Sequence, residues 1–102
     1  MSDIEIKKDK KLDCSIAEFR NANLKLVSGS ELENFKLAFK TFGSLNKSKS
    51  NAILICHALT GDQYVSGHNP ITERDGWWSR MVGPDKPIDT NKFFVICSNV
   101  LG

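Results

Sequence analysis

The stretch NAILICHALTGD, Asn51 to Asp62, decides the fold of this chain, because an unbroken apolar run ends in a loop that is not an ordinary polar turn. Ala52, Ile53, Leu54, Ile55 and Cys56 show no alternation of polar with apolar residues. A strand of that kind is covered on both faces, which is the habit of parallel sheets. Phe93-Phe94-Val95-Ile96-Cys97 repeats the pattern near the other end. The 36 residues from 57 to 92 that separate the two runs are enough for the crossover that parallel neighbours require. The two runs predict a central parallel sheet. The loop after Cys56 then leaves from a carboxyl strand end, where open α/β sheets place ligands.

Upstream the pattern changes. Asn23 to Val27 alternates, with Leu24 and Leu26 on one side and Asn23 and Lys25 on the other, and Phe35 to Phe42 alternates again around Phe35, Leu37 and Phe39. With Ser28-Gly29-Ser30 between them as turn residues, the two segments read as an antiparallel hairpin with one wet face. Gly43 to Ser50 is a polar connection. Residues 1–22, with Lys7, Lys8, Lys10 and Lys11 interrupted by Asp9, read as a polar, disordered tail, which leaves 23–102 as the folded unit. Inside the crossover, Thr72 and Asp75 form a capping pattern, and Trp77, Trp78, Met81 and Val82 recur at near-helical spacing until Gly83-Pro84. A short helix or a turn-rich segment is expected there, packing its tryptophans on the sheet as core or as the wall of a pocket. The expected fold class is α/β: an antiparallel β-hairpin followed by a first parallel βαβ unit.

The chain has 102 residues, 40% hydrophobic and 25% charged, which fits one ordinary globular domain or part of one. A net charge of +2 gives no argument for nucleic acid as a partner. No stretch approaches the ~18 apolar residues of a membrane span, and the first thirty residues lack the apolar core of a secretory signal, so a cytoplasmic location is expected. Cys14, Cys56 and Cys97 are odd in number and widely spaced, and read as reduced core residues.

The chemistry-bearing residues are few. His57, Ala58, Leu59, Thr60 and Gly61 form the loop at the strand end, and His57 directly follows Cys56, so the two side chains point to opposite faces and do not act as a pair. His68 lies in a polar loop segment. No G-x-S-x-G nucleophile elbow occurs in the sequence, and choosing Ser44, Asp62 and His68 as a triad has no support from spacing. Phosphate loops, clustered metal ligands and dinucleotide fingerprints are absent as well, so neither a metal nor a bound cofactor is expected. In the α/β-hydrolase plan, a backbone N–H from the loop after the third strand supplies half of an oxyanion hole. The loop after Cys56 occupies that place if the strands are counted as above.

Three strings, SGSELENFKLAFKTFGSLN (Ser28 to Asn46), SNAILICHALTGD (Ser50 to Asp62) and GWWSRMVGPDKPIDTNKFFVICSNVLG (Gly76 to Gly102), resemble the N-terminal part of the homoserine O-acetyltransferase family. The resemblance implies an incomplete α/β-hydrolase fold, acetyl-CoA and homoserine as substrates, an acyl-serine intermediate and a homodimer when complete. It assigns the Leu59 N–H as an oxyanion donor, with His57, Ala58, Thr60 and Gly61 shaping its loop and Ser98 to Gly102 running along the floor of the site. It also implies that the nucleophilic serine and its Asp and His partners lie outside these residues, so that the chain alone is inactive. A succinyl-transferring or serine-acetylating relative, or a non-catalytic interaction module, are the alternative readings. Two parallel strands with one short crossover are expected to leave apolar side chains wet, with Ile53, Ile55, Phe94 and Ile96 on one side and Leu54, Cys56, Phe93 and Val95 on the other.

Overall fold

The computed structural model describes residues 3–101. Among them the chain forms β1 (Asp3–Asp9), β2 (Cys14–Arg20), β3 (Leu24–Lys25), β4 (Glu31–Leu32), β5 (Phe35–Phe42), β6 (Ala52–Ile55), β7 (His68–Asn69), β8 (Arg74–Asp75), β9 (Val82–Gly83), β10 (Ile88–Asp89) and β11 (Phe94–Ser98). The five long strands make one sheet in the order β1-β2-β5-β11-β6. The two apolar runs are parallel neighbours as expected, in the register Val95 to Ile53 and Cys97 to Ile55. The other three junctions of the sheet are antiparallel. The sheet is thus mixed, antiparallel on one side and parallel at the other edge.

Four expectations need correction. Residues 3–20 are not a tail but the two outer strands, paired from Asp3 opposite Arg20 to Asp9 opposite Cys14. Ile4 and Ile6 alternate with Glu5 and Lys7, and this period-two signal is what the surrounding lysines obscure. The turn closes through Asp9, whose Oδ1 accepts from the Leu12 N–H at 2.9 Å, and through Asp13 at φ 48°. The second correction concerns β5, whose partners are β2 and β11, while Leu24–Lys25 pairs only with Glu31–Leu32 in a small separate hairpin.

The third is the crossover, where the turn-rich alternative holds and the helix does not. No helix forms among the described residues, because the backbone of 76–78 is spent on another segment. Gly76 N–H donates to Gly67 O at 2.7 Å, Trp77 N–H to Tyr64 O at 3.1 Å and Trp78 N–H to Val65 O at 2.9 Å. Gly76 serves this close approach: a Cβ there would stand 2.4 Å from the Ser66 nitrogen. The fourth is the side-chain register, since Val95 and Cys97 share a face with Ile53 and Ile55, not with Leu54. Burial follows this register, with Val95 and Cys97 both at 0% exposure and Leu54 at 65%.

The sheet therefore has two unlike faces. On one, Ile55, Val95 and Cys97 form the core with Val65 and Val82 from the crossover, flanked by Phe42, Ile53, Trp78, Met81 and Ile88. The two outer strands and the start of β5 continue that face with Glu5, Lys7, Glu18 and Lys36, which are charged and exposed or half-exposed. On the other face stand Ile4 and Ile6 of β1, Phe19 of β2, Phe35, Leu37 and Phe39 of β5, Phe94 and Ile96 of β11, and Leu54 of β6. Phe19 and Phe35 stack there with centroids 4.7 Å apart.

Gly76→Ala is expected to destabilise the chain by about 1–3 kcal/mol, because the new methyl meets backbone that cannot swing aside. A urea denaturation curve compared with wild type measures it, and an unchanged midpoint would show that the two segments are not held at this distance.

Candidate active site

The loop of interest begins where β6 ends. Gly61 N–H donates to Ala58 O at 2.9 Å, so Ala58 to Gly61 is a β-turn with Leu59 and Thr60 at its corners. The Leu59 side chain is 95% exposed, and its N–H donates to no group among the described residues. The turn is braced by His57. Its Nδ1 lies 2.6 Å from Ala58 O, and because a carbonyl only accepts, Nδ1 is the donor of that bond. Gly61 has the ring against it: a Cβ at 61 would lie 2.6 Å from the His57 Cβ.

Asp62 fastens the far end of the turn with every oxygen it has. Its carbonyl accepts from Trp77 Nε1 at 3.1 Å and from the Cys97 thiol at 3.4 Å. Oδ1 accepts from the Tyr64 N–H at 2.9 Å, and Oδ2 from Asn69 Nδ2 at 3.2 Å. Burial, with the Asp62 and Cys56 charges adding to it, pushes the Cys97 thiol up to about 11, so the thiol remains a donor. Tyr64, buried beneath the same segment, is pushed up to about 12, first by burial and then by Cys14. Its hydroxyl donates to Leu12 O, and Lys40, paired with Asp13 at 2.9 Å, lies 5.6 Å from the Tyr64 ring centroid. The loop is thus tied through Tyr64 to the β1–β2 turn.

Two hollows flank the loop. A cavity of about 190 Å³ opens between the carboxyl ends of β6 and β11, lined by Leu54, Ile55, Cys56, His57, Ser98, Asn99 and Val100. Another of about 280 Å³ lies on the other side of the turn, lined by Thr60, Gly61, Asp62, Asn69, Thr72, Arg74, Asp75 and Trp77. A third, of about 300 Å³ and lined by Lys7, Lys8, Asp9, Ile16, Glu18 and Lys36, belongs to the wet outer strands and has no contact with the loop.

The structure brings His57, Ala58, Leu59, Thr60 and Gly61 into one braced turn beside the ends of both parallel strands. Ser98 and Asn99 line the first hollow; Gly102 lies outside the described residues. Ser44 does not join Asp62, because its carbonyl is held by the Asn51 side chain at the start of β6, a strand length of about 13 Å from the loop. His68 is exposed in β7. The tryptophans divide their work: Trp78 packs on the core, while Trp77 anchors Asp62 and lines the second hollow. Cys14 and Cys97 are buried thiols, but Cys56 is exposed at the strand end, which corrects its reading as a core residue. Asp62, which fastens the turn, is the position that sequence reasoning undervalued. Its one local signal was a carboxylate two residues before a backbone N–H, the spacing of an Asx-turn.

No family model matches the chain. Over 79 residues, 78% of the chain, it is 63% identical to the homoserine O-acetyltransferase of Pelagibacter ubique (strain HTCC1062) and covers 21% of that protein. It is 58% identical over 79 residues to the homoserine O-acetyltransferase of Mesorhizobium japonicum, covering 20% of it. The crystal structure of homoserine O-acetyltransferase from Bacillus anthracis matches 97% of the chain at 30% identity and a TM-score of 0.67, with 23% of that structure covered. Esterase E22 matches 97% of the chain at 27% identity and a TM-score of 0.70, with 24% covered. The chain thus spans about a fifth of the length of the curated relatives it matches, and its sheet is part of an α/β-hydrolase fold.

Two measurements check the geometry of the loop. Iodoacetamide at neutral pH is expected to modify Cys56 in the folded chain, and Cys14 and Cys97 only after denaturation; labelling of Cys97 in the native state would mean that its contact with Asp62 is absent. Cys97 and Tyr64, with ordinary values of 9.0 and 10.0, hold their protons to about 11 and about 12 in the folded state. The unfolded chain releases those protons first, so their contribution is whole below about pH 9 and is lost as pH rises through 11 to 12. The urea midpoint should fall between about pH 8 and about pH 10.5. A midpoint that does not move would remove both groups from the buried network.

Proposed function

We propose that this chain, a homologue of homoserine O-acetyltransferases over most of its length, supplies half of the oxyanion site of such an enzyme. The reaction is acetyl transfer from acetyl-CoA to the homoserine hydroxyl through an acyl-serine. The observation that carries the reading is the unspent Leu59 N–H at the corner of a turn braced by His57 and anchored by Asp62. A fixed backbone dipole of this kind stabilises the negative charge that develops on the acyl oxygen, and one such donor is typically worth roughly 3–4 kcal/mol. It needs no reorganisation at the moment of reaction, because the turn is already closed.

The nucleophile, its histidine and its acid are not supplied by these residues, so the chain by itself does not turn over. The complete enzyme is a cytoplasmic homodimer on this reading, and the 190 Å³ hollow at the strand ends, lined by His57, Ser98 and Asn99, lies next to the turn. A second reading, with water in place of homoserine as acceptor, rests on the similarity to esterase E22. Both readings use the same oxyanion donor. They differ in the acceptor alone.

The test is a chimera in which residues of this chain replace the homologous segment of the Pelagibacter ubique relative. Homoserine-dependent release of CoA from acetyl-CoA is expected from the chimera and not from the isolated chain. Leu59→Pro in the chimera removes the N–H while suiting the first corner of a β-turn, so kcat should fall by about 10²–10³ with the fold intact. Homoserine-dependent turnover by the isolated chain, or an unaffected Leu59→Pro chimera, would overturn the assignment.

A further inference from the structure

We infer that the hollow of about 280 Å³ beside the Leu59 turn is the subsite for the phosphorylated pantetheine arm of the acyl donor, with the Trp77 ring face carrying the arm and Arg74 pairing with its phosphate. This rests on the acyltransferase reading above and adds which residues of this chain hold the donor. Thr60 and Gly61 belong both to the turn and to the wall of the hollow. A thioester whose carbonyl meets the Leu59 N–H therefore has this hollow next to it for its arm.

Trp77 is fixed in place by its nitrogen and by its ring. Nε1 donates to Asp62 O at 3.1 Å, and the ring stacks on Trp78 with centroids 6.0 Å apart and 8° between the planes. Although its one polar atom is engaged, the side chain remains 43% exposed. A fixed apolar plane in a hollow suits a chain of methylenes and amides. Thr60 and Thr72 line the same hollow, and their hydroxyls match the amides of such a chain.

Arg74 supplies the charge. The register of β7 with β8 sets Asn69 opposite Arg74, so the two side chains lie on one side of the pair. Asn69 turns its amide to Asp62 Oδ2 at 3.2 Å, and Arg74 lines the hollow beside it. Among the described residues the Arg74 guanidinium has no ion-pair partner. A free guanidinium next to an apolar plane fits a chain that ends in phosphate. The hollow between the ends of β6 and β11 has neither lysine nor arginine in its lining. Homoserine is the other anionic reactant, but its head group also carries an ammonium and calls for a carboxylate that converges with the guanidinium. The Asp62 oxygens are taken by the Tyr64 N–H and Asn69, and Asp75 stands opposite His68, on the other side of the pair from Arg74.

The experiment uses the chimera described above. With Arg74→Ala, KM for acetyl-CoA should rise at least tenfold, while kcat and KM for homoserine stay within about twofold. Acetyl-pantetheine, the same thioester without phosphate, should be used equally well by both proteins, and Arg74→Lys should restore part of the affinity for acetyl-CoA. Calorimetric titration makes the same comparison without turnover: CoA should bind at least tenfold more weakly to Arg74→Ala, and pantetheine should bind both proteins alike. A rise in KM for homoserine instead, an equal loss with both thioesters, or unchanged use and binding of the CoA compounds would each overturn the inference. An active chimera indifferent to Arg74→Ala would leave the acyltransferase reading standing and remove the subsite. An inactive chimera that binds CoA through Arg74 would do the reverse.

Discussion

The parallel pairing of β6 with β11 is the constraint from which the rest of the structure follows. Parallel neighbours cannot be joined by a tight turn, so 57–92 must leave one end of the sheet and return to the other. That excursion carries Val65 and Val82 onto Val95 and Cys97 and so makes the core. It also fixes where the chain emerges from β6. The turn at Leu59 stands at the carboxyl ends of both strands because the pairing is parallel, and an antiparallel pair would have put it beside the start of β11 instead.

The crossover has no helix to stiffen it, and its order comes from side chains that hold backbone at long range. Asp62 gathers Trp77, Cys97, Tyr64 and Asn69, while Asn69 Oδ1 in turn accepts from the Ile71 N–H at 2.9 Å. Ser66 donates to Val82 O at 2.6 Å from a buried position. Buried polar groups of this sort specify one arrangement because each alternative leaves a donor or acceptor unpaired. The Leu59 N–H is held in place by the same means, from both ends of its turn. On the proposed oxyanion reading, a loose loop would have to be ordered each time charge developed on the acyl oxygen, and that ordering would offset the benefit of the dipole.

What was legible in the sequence follows the range of the forces involved. The parallel strands were legible because five consecutive apolar residues mark a strand that is apolar on both sides, whatever lies elsewhere in the chain. The turn at the end of β6 was legible from glycine and from resemblance. The β1–β2 pair was missed because lysines dominate its composition, though Ile4 and Ile6 keep the strand period. The crossover read as a helix or a turn-rich segment; the helical alternative came from the spacing of Trp77, Trp78, Met81 and Val82, which is local, and it lost to hydrogen bonds between 76–78 and 64–67, which are not. Gly76 carried the information, but a glycine that weakens a helix and a glycine that admits another backbone look alike until the partner segment is known. The strand register failed for a similar reason: two fully apolar runs offer no alternation to fix which side chains share a face.

The unlike faces of the sheet show how much of a fold one segment can settle alone. On the core face the outer strands and the start of β5 present Glu5, Lys7, Glu18 and Lys36, and Arg20 reaches Glu5 at 3.1 Å; exposed pairs of this kind contribute little to stability but let the surface remain in water. That face needs no cover beyond what the crossover gives it. The other face has phenylalanines and isoleucines at the equivalent positions, and no rearrangement of these residues hides them, since the period of a strand fixes their side. The covered face and the bare one meet at β6, whose free edge also borders the Leu59 turn.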